Sequence, residues 1–300
     1  SRYSLGNVEL VDINNMRTKH KKLTFTKMRG TGNDYLYFDC FDQTVESPES
    51  LAVRLSNRRT GVGSDGIVLI MPSTIADAKM RMFNADGTEG SVAGNALRCV
   101  CKYLYENGHV RKDEMAVETG SGVKTAKLFI REDQVFSVLV DMGCPAFAPA
   151  KIPVKLDGDR VMMRPVFLAG EKREISCVSM GNPHVVIFVE DVNRIPLEQV
   201  GPQIETDSLF PERVNVSFAQ IVDKNDIVMR VWERGIGETA ACGTGACAVA
   251  VAAVENGFCT RGADIDVRLP GGTLVVRYQE DGKVWLTGDA NTDFTGTIEI

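Results

Sequence analysis

The chain has 300 residues, of which 44% are hydrophobic and 25% are charged, and its formal net charge at pH 7 is −6. This composition is typical of a globular protein of about two domains, and its acidic balance argues against nucleic acid or an anionic membrane as partner. No apolar run approaches the roughly 20 residues that cross a bilayer. The eight cysteines lack the spacing of a disulfide framework or a zinc motif, which predicts reduced thiols, a cytoplasmic setting and no metal.

The predicted elements begin after an N-terminal extension, residues 1–22, which is polar and lacks the apolar core of a secretory signal. A helix is predicted after Ser47, which we place at the N-cap with Pro48 at the first helical position. A second, polar helix is predicted over 196–203, and a Pro-rich connection over 144–150. Strands are predicted at 23–28, 35–38, 67–71, 79–83, 115–119, 123–130, 134–141, 161–168, 174–178, 184–189, 215–221 and 227–233, with several more near the C-terminus.

One pattern occurs twice at a fixed separation. An apolar helix predicted over 94–106 has a counterpart over 243–255, displaced by 149 residues (243 − 94), and the same offset separates Asn33 from Asn182. A shared offset of half the chain indicates two similar halves. We therefore predict an α+β fold of two pseudo-symmetric domains from an internal duplication, with a ligand in the cleft between them.

The two apolar helices both begin with glycine, at Gly94 and Gly243. A helix start exposes unpaired N–H groups and a partial positive charge, so two starts facing one cleft suit a ligand with two carboxylates, or one carboxylate held from two sides. Cys242 directly precedes the second start, where the helix favours thiolate and lowers the thiol pKa. This position predicts a base or a nucleophile; the alternative is a buried structural cysteine.

Polar residues near these helices have both a binding and a structural interpretation. Arg234 suits a carboxylate and Glu233 an ammonium group, although such a pair is also common on solvated surfaces. His184 either supports catalysis or is a satisfied histidine at a strand start. Five asparagines could form hydrogen bonds with both an amino and a carboxylate group of a ligand, or could simply form turns. They are Asn33, Asn84, Asn95, Asn182 and Asn215.

Together these segments resemble the diaminopimelate epimerase family, the cofactor-independent isomerases of the lysine and cell-wall pathway. The resemblance extends in order over nearly everything after the extension. Each segment alone is a weak signal, whereas the combination is highly specific. The matching segments are 28–34, 83–89, Gly94-Asn95, 180–184, Asn215, Glu233-Arg234 and 241–245.

The resemblance implies the architecture of the chain. Each half is a curled β-sheet around a central α-helix, and the C-terminal strand returns to the first half. The first half then comprises 23–143 plus 288–300, and the second comprises 144–287. The resemblance also implies a homodimer with no metal and no pyridoxal phosphate. Its substrate is a small diamino-dicarboxylate, LL-2,6-diaminopimelate, which is converted to the meso form.

The resemblance also assigns residue roles. In the family two cysteines flank the α-carbon; one removes its proton as thiolate and the other returns a proton to the opposite face. Carried over, Cys242 is the proton acceptor, and His184 gives possible support. The implied substrate-binding residues are Asn33, Asn84, Gly94, Asn95, Asn182, Asn215, Glu233, Arg234, Gly243 and Thr244.

The sequence departs from the family at position 93, where Ala93 stands in place of the other catalytic cysteine. An alanine cannot exchange a proton, which leaves three interpretations: an engineered variant, a natural variant that uses another acid, or a substrate-binding paralogue with impaired catalysis. A racemase of proline, hydroxyproline or histidine is a further alternative, although the asparagines and segment 181–184 favour diaminopimelate. Gly66 is a milder departure, since some members carry glutamine there and others glycine.

Overall fold

The computed structural model describes residues 21–90 and 94–300. The predicted extension therefore lies almost entirely outside the described residues, and so does Ala93. Among the described residues, no helix has the length and apolar character that crossing a membrane requires.

The first part of the chain alternates strands with two helices. Its elements are β1 (Lys22–Gly30), β2 (Asn33–Asp39), α1 (Pro48–Ser56), β3 (Gly66–Met71), β4 (Ala78–Asn84), β5 (Glu89–Gly90), α2 (Gly94–Glu106), β6 (Glu114–Thr119), β7 (Gly122–Arg131) and β8 (Gln134–Asp141).

The second part repeats this order after one additional strand. Its elements are β9 (Arg164–Leu168), β10 (Glu171–Ser179), β11 (Pro183–Phe188), α3 (Leu197–Glu205), β12 (Asn215–Asp223), β13 (Asp226–Glu233), β14 (Gly237–Thr239), α4 (Gly243–Glu255), β15 (Asp264–Leu269), β16 (Gly272–Tyr278), β17 (Val284–Gly288) and β18 (Asn291–Glu299).

The strand pairings of the two halves match one for one. In the first half, β1–β2 and β3–β4 are antiparallel, β2–β3 and β4–β6 are parallel, and β6–β7–β8 continue antiparallel. In the second half, β10–β11, β12–β13 and β15–β16–β17 are antiparallel, while β11–β12 and β13–β15 are parallel. Helices α1 and α3 start 149 residues apart (197 − 48), as do α2 and α4 (243 − 94). The predicted α+β fold with an internal duplication is confirmed.

The halves are joined by a strand pair, and the C-terminal strand pairs with the first half. Strand β8 pairs antiparallel with β17, which makes one continuous sheet system across the molecule. At the outer edges β9 pairs with β10, whereas the C-terminal strand β18 pairs with β1. The chain therefore returns to its first half at its end; the residue boundaries given above for the halves stay a prediction.

Each half packs around one central helix. Helix α4 is apolar on all sides, and every residue from Ala246 to Ala253 is fully buried. Its alanines let the curled sheet approach closely on every face, as expected of a helix enclosed in a core. Helix α2 presents Leu97, Val100 and Leu104 to the corresponding core of the first half.

One local prediction is confirmed and another requires correction. Ser47 occupies the N-cap of α1 and Pro48 the first helical position, as predicted; the Ser47 side chain makes no cap hydrogen bond, and its carbonyl accepts from Leu51 N. The strand predicted over 161–168 begins only at Arg164, because Met163 has a positive φ of 46° that interrupts extended backbone. The short strands β5 and β14 have no signal in the sequence.

Candidate active site

The starts of the two central helices meet at one point. A Cβ atom added to Gly243 would lie 4.0 Å from Gly94 Cα and 3.2 Å from Leu286 Cδ2, and one added to Gly94 would lie 3.4 Å from the same Leu286 atom. The two glycines therefore bring backbone N–H groups of both helices to one place, with Leu286 packed beneath them. This geometry suits an anion held from two sides.

Cys242 is the N-cap residue of α4. Its backbone is extended, with φ −146° and ψ 111°, and its Sγ accepts a hydrogen bond from Gly245 N at 3.3 Å. A Cβ at position 245 would lie 3.1 Å from that sulfur, so glycine lets the N–H approach. The thiol is thus held at the positive end of the helix.

The environment of Cys242 raises its pKa to about 12, because burial disfavours the thiolate and the Glu233 carboxylate adds to the effect. Hydrogen bonds from Thr244 and Gly245 N act in the opposite direction and are outweighed. Gly245 N, at the helix start, does lower this pKa, but the predicted net lowering is wrong because burial raises it more. The residue is only 8% exposed, so desolvation of the thiolate is the largest cause.

A chain of hydrogen bonds leads to the Cys242 sulfur. His184 Nε2 lies 2.8 Å from Asn182 Oδ1, and Asn182 Nδ2 donates to Thr244 Oγ1 at 3.1 Å. Thr244 Oγ1 in turn lies 3.7 Å from Cys242 Sγ. Because Asn182 Oδ1 is an acceptor, His184 Nε2 carries the hydrogen, and the Thr244 hydroxyl keeps its own proton for the sulfur.

His184 is a neutral member of this chain. It is fully buried, and burial followed by the charge of Arg234 lowers its pKa to about 3. At neutral pH it therefore acts as a fixed hydrogen-bond donor and not as a general acid. Of the two interpretations of His184, its contacts favour support of the Cys242 site.

A matching contact occurs at the start of α2. Asn95 Nδ2 donates to Asn33 Oδ1 at 2.6 Å, and Asn33 Nδ2 donates to Asp65 Oδ2 at 3.3 Å. Burial and the neighbouring Asp34 raise the pKa of Asp65. Asn95 is buried, and its Oδ1 has no hydrogen-bond partner among the described residues. That oxygen is available to a ligand donor.

Glu233 lies at the end of β13, close enough to Cys242 to raise the thiol pKa. Its carboxylate accepts a hydrogen bond from the Thr239 hydroxyl, and burial raises its own pKa. Thr239 is a site residue that the sequence analysis missed, although it stands only three positions before Cys242. A polar side chain so near a candidate base was the available signal.

Arg234 and Asn215 are held together at the second half of the cleft. Arg234 N donates to Asn215 Oδ1 at 2.8 Å, and Asn215 Nδ2 donates to Pro183 O at 3.0 Å. The Arg234 guanidinium donates to Glu212 O at 3.0 Å. Asn215 is therefore bonded on both sides of its amide, and its contacts fix two loops of this half.

Asn84 takes the position in the first half that Glu233 takes in the second, since each is the last residue of its strand. Its Nδ2 donates to Thr88 Oγ1 at 3.1 Å, and among the described residues no side-chain hydrogen bond joins it to the other predicted site residues. The neighbouring strand residue is Gly66, where a Cβ would lie 2.1 Å from Phe83 O. This backbone excludes any side chain there, which explains glycine in place of glutamine.

The predicted residues thus fall into three bonded groups: Asn33 with Asn95; Cys242, Thr244, Asn182 and His184; and Asn215 with Arg234. Glu233 adjoins the second group, Gly94 and Gly243 lie between the helices, and Asn84 stands apart. Ala93 lies outside the described residues. In the part of the chain that the structure covers, no group of His, Cys, Asp and Glu is arranged to hold a metal ion.

Comparison with known proteins agrees with this geometry. The family model described as Diaminopimelate epimerase matches residues 25–148 and 176–292. Curated diaminopimelate epimerases from Desulfovibrio desulfuricans and Acetivibrio thermocellus are 50% and 48% identical, over 93% of this chain and 99% of each relative. A Bacillus anthracis PhzF-family phenazine biosynthesis protein has the same fold, with a TM-score of 0.67 at 18% identity, covering 93% of this chain and 100% of its own. The match extends along both duplicated halves, and a buried cysteine lies at the start of the second central helix. This chain therefore belongs to the diaminopimelate epimerase family of isomerases.

Proposed function

We propose that this protein acts on LL-2,6-diaminopimelate and converts it to the meso form, removing and returning the α-proton without a cofactor. The observation that carries the proposal is the placement of the Cys242 thiol beside two converging helix starts, at Gly94 and Gly243. The names of relatives about 50% identical supply the substrate.

The proposed step begins with the Cys242 thiolate, which takes the proton from the α-carbon of the substrate. The electron pair left on carbon delocalises into the α-carboxylate. Backbone N–H groups at both helix starts then stabilise the added negative charge in a site that excludes water. A proton returned from the opposite face gives the inverted product, and a proton returned by Cys242 gives the original stereoisomer.

Substrate binding also prepares the base. After burial, Glu233 is the next cause that raises the pKa of the Cys242 thiol, and a bound α-ammonium group placed against Glu233 would neutralise that carboxylate. The thiolate then loses its principal like-charge neighbour and keeps the hydrogen bonds from Thr244 and Gly245 N. On this proposal substrate binding lowers the pKa of Cys242 and so favours the base.

Ala93 supports a second candidate function. A cleft with one thiol binds the substrate and exchanges its α-proton with solvent, but it has no cysteine on the opposite face to complete inversion. This candidate covers an engineered variant and a natural paralogue that binds without inverting. A natural variant with another acid would still invert.

Incubation with each stereoisomer in heavy water separates these functions. Mass spectrometry measures α-deuteration, and chiral chromatography measures inversion. Both processes together support epimerisation, whereas deuteration without inversion supports one working base. The variant Cys242→Ala is the control, since it should show neither process. Absence of both from the unmodified chain would contradict the enzyme proposal, and equal turnover of proline, hydroxyproline or histidine would contradict the substrate.

The proposal also covers the setting of the reaction. Epimerisation of diaminopimelate would supply lysine and peptidoglycan synthesis in the cytoplasm. We propose a homodimer, which gel filtration with light scattering would test, and two halves with the boundaries given in the sequence analysis.

A further inference from the structure

We propose that Glu205, a residue outside the cleft, positions Arg234 for substrate binding. This inference rests on the proposed function, because Arg234 is there expected to contact the substrate. Glu205 touches none of the reacting atoms, so its role is positioning and not catalysis.

Glu205 is a buried carboxylate with three hydrogen-bond donors. It is the last residue of α3 and is 5% exposed. Its Oε1 accepts from Trp232 Nε1 at 2.9 Å, while its Oε2 accepts from Arg213 Nη1 and from Gly235 N, both at 2.9 Å. A buried carboxylate is stable only when donors such as these replace its hydration.

These contacts hold both loops on which Arg234 depends. Gly235 directly follows Arg234, so its bond to Glu205 fixes the backbone on the C-terminal side of the arginine. Arg213 directly follows Glu212, whose carbonyl accepts from the Arg234 guanidinium. Arg234 N also donates to Asn215. Three hydrogen bonds therefore hold Arg234 and the residue after it, and Glu205 either accepts or lies next to two of them, at Gly235 and at Glu212.

The backbone at this loop needs such support. Gly235 has φ 76° and Gly237 has φ 113°, so the chain turns sharply just after the arginine. Helix α3 approaches the loop closely, because a Cβ on Gly201 would lie 2.6 Å from the Trp232 ring. The close approach brings the end of α3, and with it Glu205, within reach of the turn.

The first half of the molecule provides an internal comparison. The residue 149 positions before Glu205 (205 − 149) is Ser56, an uncharged residue whose hydroxyl accepts from Ser64. The corresponding loop is fixed by its own side chains, with Asp86 Oδ1 accepting from Thr88 N at 2.9 Å. Arginine is absent there, since Ala85 matches Arg234 (234 − 149). The buried carboxylate occurs in the half that carries the arginine.

Binding calorimetry with LL-diaminopimelate tests the inference. Glu205→Met has a similar length but no acceptor, so it removes the contacts to Arg213 and Gly235, and we expect its Kd to rise about tenfold through misplacement of Arg234. Trp232→Phe is the matched control: it removes a donor to the same carboxylate and leaves the Gly235 contact, so its Kd should stay within about twofold of the unmodified value. Equal affinities of Glu205→Met and the unmodified protein would overturn the inference.

A double-mutant cycle with Arg234→Lys separates positioning from stability. If Glu205 acts through Arg234, Glu205→Met weakens binding in the unmodified background but has little further effect beside Arg234→Lys. The loss of thermal stability should be equal in both backgrounds. Additive losses of affinity would overturn the inference.

A third measurement stands independently of the substrate. Hydrogen exchange of the Gly235 amide should accelerate by about tenfold or more in Glu205→Met, because the amide loses its acceptor. If the unmodified protein fails to bind diaminopimelate, the proposed function fails while this readout still tests the loop. Unchanged exchange at Gly235 would overturn the positioning role by itself.

Discussion

The two central helices both begin with glycine, at Gly94 and Gly243, but the polar side chains at their starts form different hydrogen bonds. In the second half Asn182 donates to Thr244, which leaves the threonine hydroxyl proton for Cys242. In the first half the direction is reversed: Asn95 donates to Asn33, and the free group is the Asn95 carbonyl oxygen. One helix start therefore offers a donor to a thiolate, and the other offers an acceptor to a ligand.

The residues bonded to Asn182 and Asn33 also differ between the two halves. Asn182 is bonded to the neutral His184, whereas Asn33 is bonded to the Asp65 carboxylate. The position that matches His184 holds Tyr35 (184 − 149), and burial followed by nearby carboxylates raises the pKa of Tyr35. The two halves thus share their strand order and helix positions, while the side chains beside the two helix starts differ.

A cysteine at position 93 should have the largest effect of the variants considered, and the effect is on the rate of inversion. We expect Ala93→Cys to raise the rate of inversion by about three orders of magnitude, because a positioned acid or base contributes roughly that much. Chiral chromatography of product formed from LL-diaminopimelate measures the change. The matched control is Ala93→Ser, which restores volume and polarity without a thiol.

No gain with Ala93→Cys would contradict a latent two-thiol design. The double variant Ala93→Cys with Cys242→Ala tests whether a thiol before α2 can act as the base, because it moves the proposed base to the first half. We expect it to deuterate the substrate far more slowly than the unmodified chain, since Thr244 has no hydroxyl counterpart at Asn95.

The raised pKa of Cys242 predicts a strong pH dependence. The thiol is protonated at neutral pH, so its alkylation by iodoacetamide should accelerate about tenfold per pH unit from neutral pH toward about pH 12. Peptide mass spectrometry follows this residue separately from the exposed Cys144. A plateau of Cys242 alkylation near pH 8 would show that the helix start, and not burial, sets its pKa.

Removing the hydroxyl beside the sulfur should have an intermediate effect. Thr244→Val deletes the hydrogen bond to the thiolate at nearly constant volume, which we expect to slow α-deuteration by about 10- to 100-fold. Thr244→Ser keeps the hydroxyl and should retain most of the rate. Equal rates for Thr244→Val and the unmodified chain would exclude the Thr244 bond from stabilising the base.

The sequence predicted what the halves share more accurately than the chemistry within them. The 149-residue offset located both central helices, since glycine starts and apolar runs are local signals. The pKa of Cys242 could not be predicted in this way, because it depends on burial and on Glu233, which three-dimensional packing brings close. Glu205 had no signal at all: its three donors come from sequence positions 8 to 30 residues away.

His184 should affect acid stability more than catalysis at neutral pH. Its folded-state pKa lies near 3, below its ordinary value of 6.5, so the unfolded chain binds a proton between these values and the folded chain does not. The stabilisation from this neutral histidine is therefore complete above about pH 6.5 and is lost as the pH falls toward 3.

His184→Gln keeps a donor for Asn182 and has no such titration. Urea unfolding at pH 7.5 and pH 4.5 should show that the stability advantage of the unmodified protein over His184→Gln shrinks in acid, by about 1.4 kcal/mol per pH unit below 6.5. Parallel losses in both proteins would mean that the fold does not lower the pKa of His184, and the histidine bonded to Asn182 would then be protonated at pH 4.5.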